Sequence, residues 1–366
     1  MIDSILGHLE KLVAFETTAD YPDHIEQCFD YIMGELAFYP QFTGKPYVGQ
    51  VANGISSKSY VWGADNLHPQ ALLYCHIDVV KAAPEFYKMV IADGKAVGRG
   101  TYDMKFAVAV YIEVLKKLLS SQGKLPSVSL FLTSDEEVSG MNGTGYLLED
   151  VGYRADVVLM PDGGKDWHIV EEAKGLFRAE ITTKGEAGHS SRPWLSTNAI
   201  DVMMEVAAAI RKRYPHPAER DRWTTTVNFS RILGGTKTSL NQVADEAQLF
   251  LDIRFPYSEN PKEELTKIVQ GFEGAMITFP VYKSPFFQDI QNEYIQRWKN
   301  LIAPHSPADV FIKEDGTADH HYFSKFGIPT IVSQPRGGDI HGDHEFIDIK
   351  SLEDYADVVY QFLNAL

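Results

Sequence analysis

Three apolar segments that run directly into acidic residues constrain this chain more than any other feature of its sequence. The first, residues 71–75, lacks polar alternation, which is typical of a strand buried on both faces of a sheet. It leads into His76 and Asp78, which point to the same side of an extended chain because they are two residues apart. The pair either serves a metal site, with Asp78 holding the second imidazole nitrogen of His76, or is an ordinary hydrogen-bonded pair.

The other two segments also end in carboxylates. Residues 127–132 lead into Asp135, Glu136 and Glu137, and residues 156–160 lead into Asp162. Consecutive carboxylates repel one another at little cost in a solvated loop, but in a cleft they need a cation. Strands alternating with helices predict an α/β sheet, and such sheets bind ligands at the carboxyl ends of their strands.

Asp103 joins this set from a different kind of segment. It follows the glycine-containing loop 98–100 and precedes a stretch with apolar residues at helical spacing. In isolation Asp103 is equally well explained as the N-cap of that helix or as another acid of the site.

Periodicity divides the chain into two domains. From 176 onward, the order strand, helix, strand, strand, helix, strand is that of a ferredoxin-like unit. We expect this α+β domain, residues 177–284, to be inserted into an α/β domain of residues 1–176 and 285–366 with a central, mostly parallel sheet. The other elements that the pattern predicts are helices at 2–15, 23–38, 289–301 and 351–366, and strands at 47–51, 59–62, 309–312 and 330–333.

Charge and composition exclude several classes of protein. The 366 residues carry a formal net charge of −16, so no broad basic field is present to bind nucleic acid or an anionic membrane. No apolar run approaches the roughly 18 residues of a membrane span. The two cysteines cannot form a disulfide framework and the N-terminus has no secretory pattern, so we expect a cytoplasmic protein.

Five motifs in this order resemble the aminoacylase/glutamate-carboxypeptidase family of two-metal peptidases and deacylases over nearly the whole chain. The motifs are residues 76–78, 98–105, 133–140 and 188–193, and His341 with Glu345. The resemblance implies a zinc-peptidase-like α/β catalytic domain, with the inserted domain acting as a lid and as a dimerisation surface.

The resemblance also implies two divalent metal ions per subunit, zinc by preference, with cobalt or manganese able to substitute. The implied ligands are His76, Asp103, Glu137, Asp162 and His341. Asp103 would bridge both ions, and its peptide bond to Met104 would be cis. His344 is the alternative to His341, which we prefer because Glu345 then follows at the family's spacing.

Three further residues match catalytic positions of the family. Glu136 would be the general base that takes a proton from water and passes it to the leaving amine. Asp78 would fix the ring of His76. His189 would hydrogen-bond the oxyanion, in the family often from the partner subunit, unless it is a surface histidine in a turn.

Substrate-binding positions match less completely. Asn241 and Thr317 would supply polar contacts, and Arg254 would bind the substrate's terminal carboxylate unless it forms an ordinary strand-edge salt bridge. Residues 241–244 depart from the family's Asn-x-Ile-Pro, so the shape of that loop stays open.

The function we predict is metal-dependent hydrolysis of an amide bond in a small substrate with a free carboxylate, a dipeptide or short peptide. Asp162 favours a peptidase, because the desuccinylase and glutamate-carboxypeptidase branches usually carry Glu there. The alternatives are an N-acyl amino acid deacylase with the same mechanism, a non-catalytic metal or amino-acid binding protein, and a generic α/β domain. We expect a homodimer through the lid, where Val202, Val206 and Ile210 serve either the dimer or the lid's own core.

Overall fold

The computed structural model describes residues 1–37, 39, 44–48, 57–236 and 239–366. Contacts divide the chain into two compact units. The first comprises Met1–Glu171, Gln288–Lys313 and Ala318–Leu366, and the second comprises Glu172–Phe287 and Glu314–Thr317. The residues 177–284 that the sequence assigns to an insertion all lie in the second unit.

The helices of the described chain are α1 (Ile2–Val13), α2 (Pro22–Leu36), α3 (Lys105–Gln122), α4 (Ala199–Arg213), α5 (Pro261–Gln270), α6 (Glu293–Ile302), α7 (His320–Lys325) and α8 (Ile349–Asn364). Its strands are β1 (Gly44–Val48), β2 (Lys58–Trp62), β3 (Ala71–His76), β4 (Val90–Ala92), β5 (Lys95–Val97), β6 (Val128–Thr133), β7 (Val157–Leu159), β8 (Ile169–Ala173), β9 (Gly175–Lys184), β10 (Thr226–Gly234), β11 (Glu246–Phe255), β12 (Ala275–Lys283), β13 (Phe286–Phe287), β14 (Phe311–Glu314), β15 (Thr330–Ile331), β16 (Gly337–Gly338) and β17 (Phe346–Asp348).

A six-stranded sheet in the order β1-β2-β6-β3-β7-β15 forms the centre of the first unit. The strands β6, β3, β7 and β15 run parallel, whereas β1 and β2 are antiparallel to their neighbours. This confirms the mostly parallel sheet expected from the sequence. Every residue of β3 is buried, as its unbroken apolar run predicts.

The strand register places the acidic segments that follow β3, β6 and β7 at one edge of this sheet. Leu73 of β3 lies opposite both Leu130 of β6 and Leu159 of β7, and His76 lies opposite Thr133. Because parallel strands end on the same side, the residues that follow β3, β6 and β7 emerge together. Helix α3, whose side chains from Lys105 to Ile112 are all buried, packs on β3.

The first unit also contains a small sheet in the order β16-β17-β5-β4. The sequence did not predict it, since its strands have two or three residues each, too few to show a period. Phe346 pairs with Val97, which places the loop after β5 beside the turn that precedes β17.

The second unit has the predicted ferredoxin-like order. Its strands form the antiparallel sheet β10-β11-β9-β12, with α4 and α5 following the first and third strands in sequence. Val206 and Ile210 of α4 are fully buried in this unit's own core, and Val202 packs against it. These three residues therefore serve the lid's core, which decides between the two alternatives left open by the sequence.

Several predicted elements shift at their ends, among them the predicted strand 309–312, which is β14 at Phe311–Glu314. Strand β1 begins three residues before the predicted 47–51, of which residues 49–51 lie outside the described part, as does residue 38 of the predicted second helix. Among the described residues, none of the helices has the length and apolar character needed to cross a bilayer.

Candidate metal centre

His76, the last residue of β3, is fully buried and contacts two carboxylate-bearing residues. Its Nδ1 lies 3.0 Å from the carbonyl oxygen of Asp78 and its Nε2 lies 3.1 Å from Oδ1 of Asp103. A carbonyl oxygen can only accept, so Nδ1 is the donor there. In the neutral ring, the lone pair of Nε2 then faces a carboxylate oxygen, an arrangement that a cation between the two atoms stabilises.

Asp103 connects the two halves of the centre. Its peptide bond to Met104 is cis, which confirms that expectation. Oδ2 lies 3.1 Å from Nε2 of His341, on the side of the carboxylate opposite His76. Burial opposes ionisation of Asp103, but the hydrogen bonds of His341 and His76 outweigh it and hold the pKa of this carboxyl below its ordinary value.

Glu137 and His341 lie on the second side of Asp103. The Oε1 atom of Glu137 is 3.3 Å from Nε2 of His341, and the Glu137 N–H donates to Oδ2 of Asp78 at 3.0 Å. Asp78 thus accepts a hydrogen bond from the ring of His76 through its carbonyl, with its Oδ1 also 3.6 Å from Nδ1 of that ring, and contacts the main chain of Glu137 through Oδ2. His344 lies elsewhere, with its ring edge-on to Phe86.

Asp162 follows β7 and lies on the first side of Asp103. Its Oδ2 is buried and has no hydrogen-bond partner within the described chain. Burial, and then the nearby charge of Asp103, raise the pKa of Asp162 well above its ordinary value. A buried carboxylate oxygen without a partner is a costly feature that a bound cation removes.

These residues fall into two groups that share Asp103. Ligand atoms of His76, Asp103 and Asp162 lie within 4.8 Å of one another, and so do those of Asp103, Glu137 and His341. Each group combines one imidazole with two carboxylates, a donor set that zinc and similar divalent ions accept. The donor chemistry and the unpartnered oxygen of Asp162 therefore fit a pair of metal ions.

Asp135 shapes the turn that carries Glu136 and Glu137. Its buried Oδ2 accepts N–H bonds from Asn142 at 2.9 Å and Gly143 at 3.0 Å. Burial, together with the charges of Asp319 and Asp78, raises the pKa of Asp135 to about 7. Sequence reasoning treated Asp135 only as one of three consecutive acids, and its complete burial is the feature that the pattern could not show.

The sequence also indicates no role for Arg99, and Glu345 serves there only to favour His341 over His344 as a ligand. Both are buried, and Nη1 of Arg99 lies 2.6 Å from Oε2 of Glu345. A signal was present, since Arg99 lies between two glycines in one motif and Glu345 closes another, but no local pattern pairs residues 246 positions apart.

His189 and Asn241 lie on adjoining segments of the second unit. His189 forms a β-bridge with Gln242, and the Ser190 N–H donates to the carbonyl of Asn241 at 2.9 Å. Nδ1 of His189 accepts an N–H bond from Ser191 at 3.2 Å. In the neutral ring the proton therefore lies on Nε2, and His189 itself is exposed.

Arg254 and Thr317 also lie in the second unit. Arg254 donates through Nε to Oδ1 of Asp252 at 2.8 Å, on the same face of β11. The salt bridge considered from the sequence is therefore present. The Thr317 hydroxyl is buried and has no hydrogen-bond partner among the described residues.

Comparisons with known proteins give one consistent result. Residues 72–365 match the family described as peptidase family M20/M25/M40. A succinyl-diaminopimelate desuccinylase of Burkholderia ambifaria is 24% identical over 100% of both chains. A tripeptidase from Staphylococcus aureus has a TM-score of 0.78 and 21% identity, and covers 100% of this chain and 98% of that one. An M20 family metallo-carboxypeptidase from Sulfolobus solfataricus has a TM-score of 0.72 and 18% identity, and covers 99% of this chain and 99% of that one.

Proposed function

This chain belongs to peptidase family M20/M25/M40, and we propose that within it the protein is a two-metal peptidase acting on dipeptides or short peptides with a free carboxylate. The family resemblance stated from the sequence is thereby confirmed, and the chain is a metal-dependent amide hydrolase. The observation that carries the proposal is the pair of ligand groups that share Asp103.

The ligands that we propose are His76, Asp103 and Asp162 for one ion and Asp103, Glu137 and His341 for the other. Zinc suits this donor set, with cobalt or manganese able to replace it. Such ions, when bound, supply Lewis acidity to a water molecule and to the amide carbonyl oxygen.

The chain's own residues then carry out the proton transfers and hold the substrate. Glu136 takes a proton from the attacking water and delivers it to the leaving amine. The Nε2–H of His189 donates to the oxyanion, a role supported by its Nδ1 being occupied as an acceptor. Asn241, Arg254 and Thr317 bind the substrate, with Arg254 directed at its carboxylate.

Asp162 supports a dipeptide or short peptide substrate, because dipeptidase and aminopeptidase branches of the family more often carry Asp at this position, whereas the desuccinylase and glutamate-carboxypeptidase branches usually carry Glu. The second candidate is an N-acyl amino acid deacylase, which the desuccinylase relative favours. Both cleave an amide beside a carboxylate, and they differ in whether the acyl side bears a free amine.

We also propose that the protein is a homodimer formed through the second unit, with no nucleic-acid or membrane partner. Exposed apolar side chains at the edge strand β10, among them Ile232 at 59% exposure, support this surface. A cytoplasmic location is supported by Cys28 and Cys75, which are both unpaired and buried.

The deciding experiment compares matched substrates. Metal-stripped protein, restored with zinc, cobalt or manganese, is assayed on unblocked dipeptides and on N-acetylated amino acids with the same carboxyl-terminal residue. We expect metal-dependent cleavage of the unblocked member. Cleavage of the capped member alone makes the protein a deacylase, and no cleavage of either despite two bound ions contradicts both candidates.

A further inference from the structure

Glu345 lies at the centre of a ring of hydrogen-bond donors. Its side chain is 1% exposed. Oε1 accepts the N–H groups of Tyr102 and Asp103, both at 2.9 Å. Oε2 accepts the N–H of Gly100 at 3.0 Å and Nη1 of Arg99 at 2.6 Å. All four bonds come from one loop, and that loop ends at the residue shared by both ligand groups.

Arg99 also contacts the segment that carries His341. Its Nη2 donates to the carbonyl oxygens of His341 at 3.1 Å and Gly342 at 3.0 Å. One guanidinium therefore binds the carboxylate that holds the Asp103 loop and the main chain that carries His341. The fork geometry of arginine permits this double contact, whereas a lysine ammonium does not reproduce it.

The main chain of His341 needs such support. Its φ is 64°, in the left-handed region that non-glycine residues rarely adopt. Its side chain is 51% exposed, so packing does not fix the imidazole. The bonds from Arg99 support this turn from outside, and within the turn the Gly342 N–H donates to the carbonyl of Asp339 and the His344 N–H donates to Oδ2 of Asp339.

Gly100 explains why the donors can converge. Its φ is 83°, and a Cβ there would lie 3.0 Å from both the Lys105 and the Val79 side chains. A glycine at this position lets the loop turn so that the N–H groups of residues 100, 102 and 103 point at one carboxylate. This geometry accounts for the glycine-arginine-glycine motif of residues 98–100, which contains none of the proposed metal ligands.

We propose that Arg99 and Glu345 are positioning residues that hold Asp103 and His341 at the separation required to share one metal ion. The pair acts through the main chain of those two residues and touches neither ion nor substrate. This inference rests on the proposed metal centre, and it predicts that losing the pair weakens the group Asp103, Glu137 and His341 before the group His76, Asp103 and Asp162.

Glu345→Gln tests the carboxylate. The variant keeps the shape of the side chain, but its amide nitrogen faces two donors on one side of the ring. We expect metal affinity at one of the two sites to fall by about 10–100-fold, as is typical when a partner of a metal ligand is changed. The measurement is calorimetric titration of metal-stripped protein with zinc alone, with the metal content after dialysis as a second readout.

Arg99→Lys tests the guanidinium in a second variant that keeps the positive charge. We expect zinc affinity to fall at the same site. Because the two residues act as one unit, we expect the double variant to lose no more affinity than the single variant with the larger loss. Wild-type affinity in Arg99→Lys, or full additivity in the double variant, would overturn the proposal.

Leu363→Ala is the matched control for lost stability. It removes a buried side chain at the end of α8, which lowers stability by leaving a cavity, and it leaves both loops intact. We expect it to unfold at a lower temperature with unchanged zinc affinity. If Glu345→Gln behaves like this control, the pair is merely structural and the proposal is wrong. If wild-type protein binds no metal, the proposed function itself fails, which is a distinct outcome.

Discussion

Glu136 lies between an acid that fixes its turn and an acid that we propose as a ligand. The carbonyl of Asp135 accepts N–H bonds from Ser139 at 2.8 Å and Gly140 at 2.7 Å, so the turn is closed by its own main chain. Glutamine at position 136 keeps this turn but cannot accept a proton as a base. We therefore expect Glu136→Gln to lower kcat by about 10²–10⁴-fold with metal content unchanged.

Steady-state turnover and metal analysis on the same preparation check this expectation. Glu149→Gln, which removes an exposed carboxylate paired with Lys325, is the matched control and should keep wild-type turnover. Undiminished hydrolysis by Glu136→Gln would remove the general-base assignment.

His341 and His344 give the second test at the scale of single residues. Only His341 directs its imidazole at Asp103 and Glu137, at 3.1 and 3.3 Å. We expect His341→Ala to lose one metal ion per chain and His344→Ala to keep both, as measured by metal content after dialysis. If His344→Ala alone lost an ion, the ligand assignment would pass to His344.

The sequence could predict which residues meet at the centre, but not what holds them. The proximity of His76, Glu137 and Asp162 follows from parallel strands ending at one edge, which periodicity already implies. The bond between Arg99 and Glu345 depends on two loops brought together by β5 and β17, which are too short to carry a pattern.

At the scale of elements, the long helices and the second unit's strands were predictable because their apolar spacing repeats over several turns or pleats. Helix α1 buries Ile5, Leu9 and Leu12 at the expected spacing, and β11 alternates buried with half-buried residues along its length. Helix α7 was not predicted, because it has six residues and four of them are buried, which leaves no amphipathic signal.

A polar cluster joins the first three helices and provides a test of stability against pH. Glu113 of α3 bonds to His8 of α1 at 3.1 Å and to Lys116 at 3.0 Å, and Lys116 also reaches Glu35 of α2. Burial raises the pKa of Glu113, but the bonds from Lys116 and His8 more than offset this, so its pKa lies below the ordinary value.

Because the folded-state pKa of Glu113 is depressed, its contribution to stability is present above the unfolded-state pKa of about 4.3 and is lost as the pH falls through the folded value. We expect Glu113→Gln to lower the free energy of unfolding by about 1 kcal/mol at pH 7, and we expect this difference from wild type to shrink toward pH 3. Urea unfolding at both pH values measures this, with exposed Glu10→Gln as control. An equal deficit at both pH values would contradict the argument.

At the scale of the whole molecule, the candidate residues are divided between the two units. The proposed ligands and Glu136 belong to the first unit, whereas His189, Asn241, Arg254 and Thr317 belong to the second. The roles that we propose for these residues therefore draw on both units.

The proposed dimer surface is testable with the two edges of one sheet. Strand β10 is one edge and exposes Ile232 at 59%, and β12 is the other and exposes Met276 at 57%. Lysine on an edge strand opposes pairing with another chain. We expect wild type to sediment at twice 41.1 kDa, Ile232→Lys as a monomer, and Met276→Lys as a dimer. A monomeric wild type would contradict the dimer proposal.

If the dimer forms and His189 acts from the partner subunit, two inactive variants should restore each other. Glu136→Gln keeps His189 but lacks the base, and His189→Ala keeps the base but lacks the oxyanion donor. In a mixed dimer, one of the two sites then contains both intact groups, so random mixing should return about a quarter of wild-type turnover. Were His189 to act within its own chain, every site in the mixture would still lack one group and the mixture would stay inactive. Turnover before and after mixing, with Ile232→Lys in both variants as the unassociated control, separates the two arrangements.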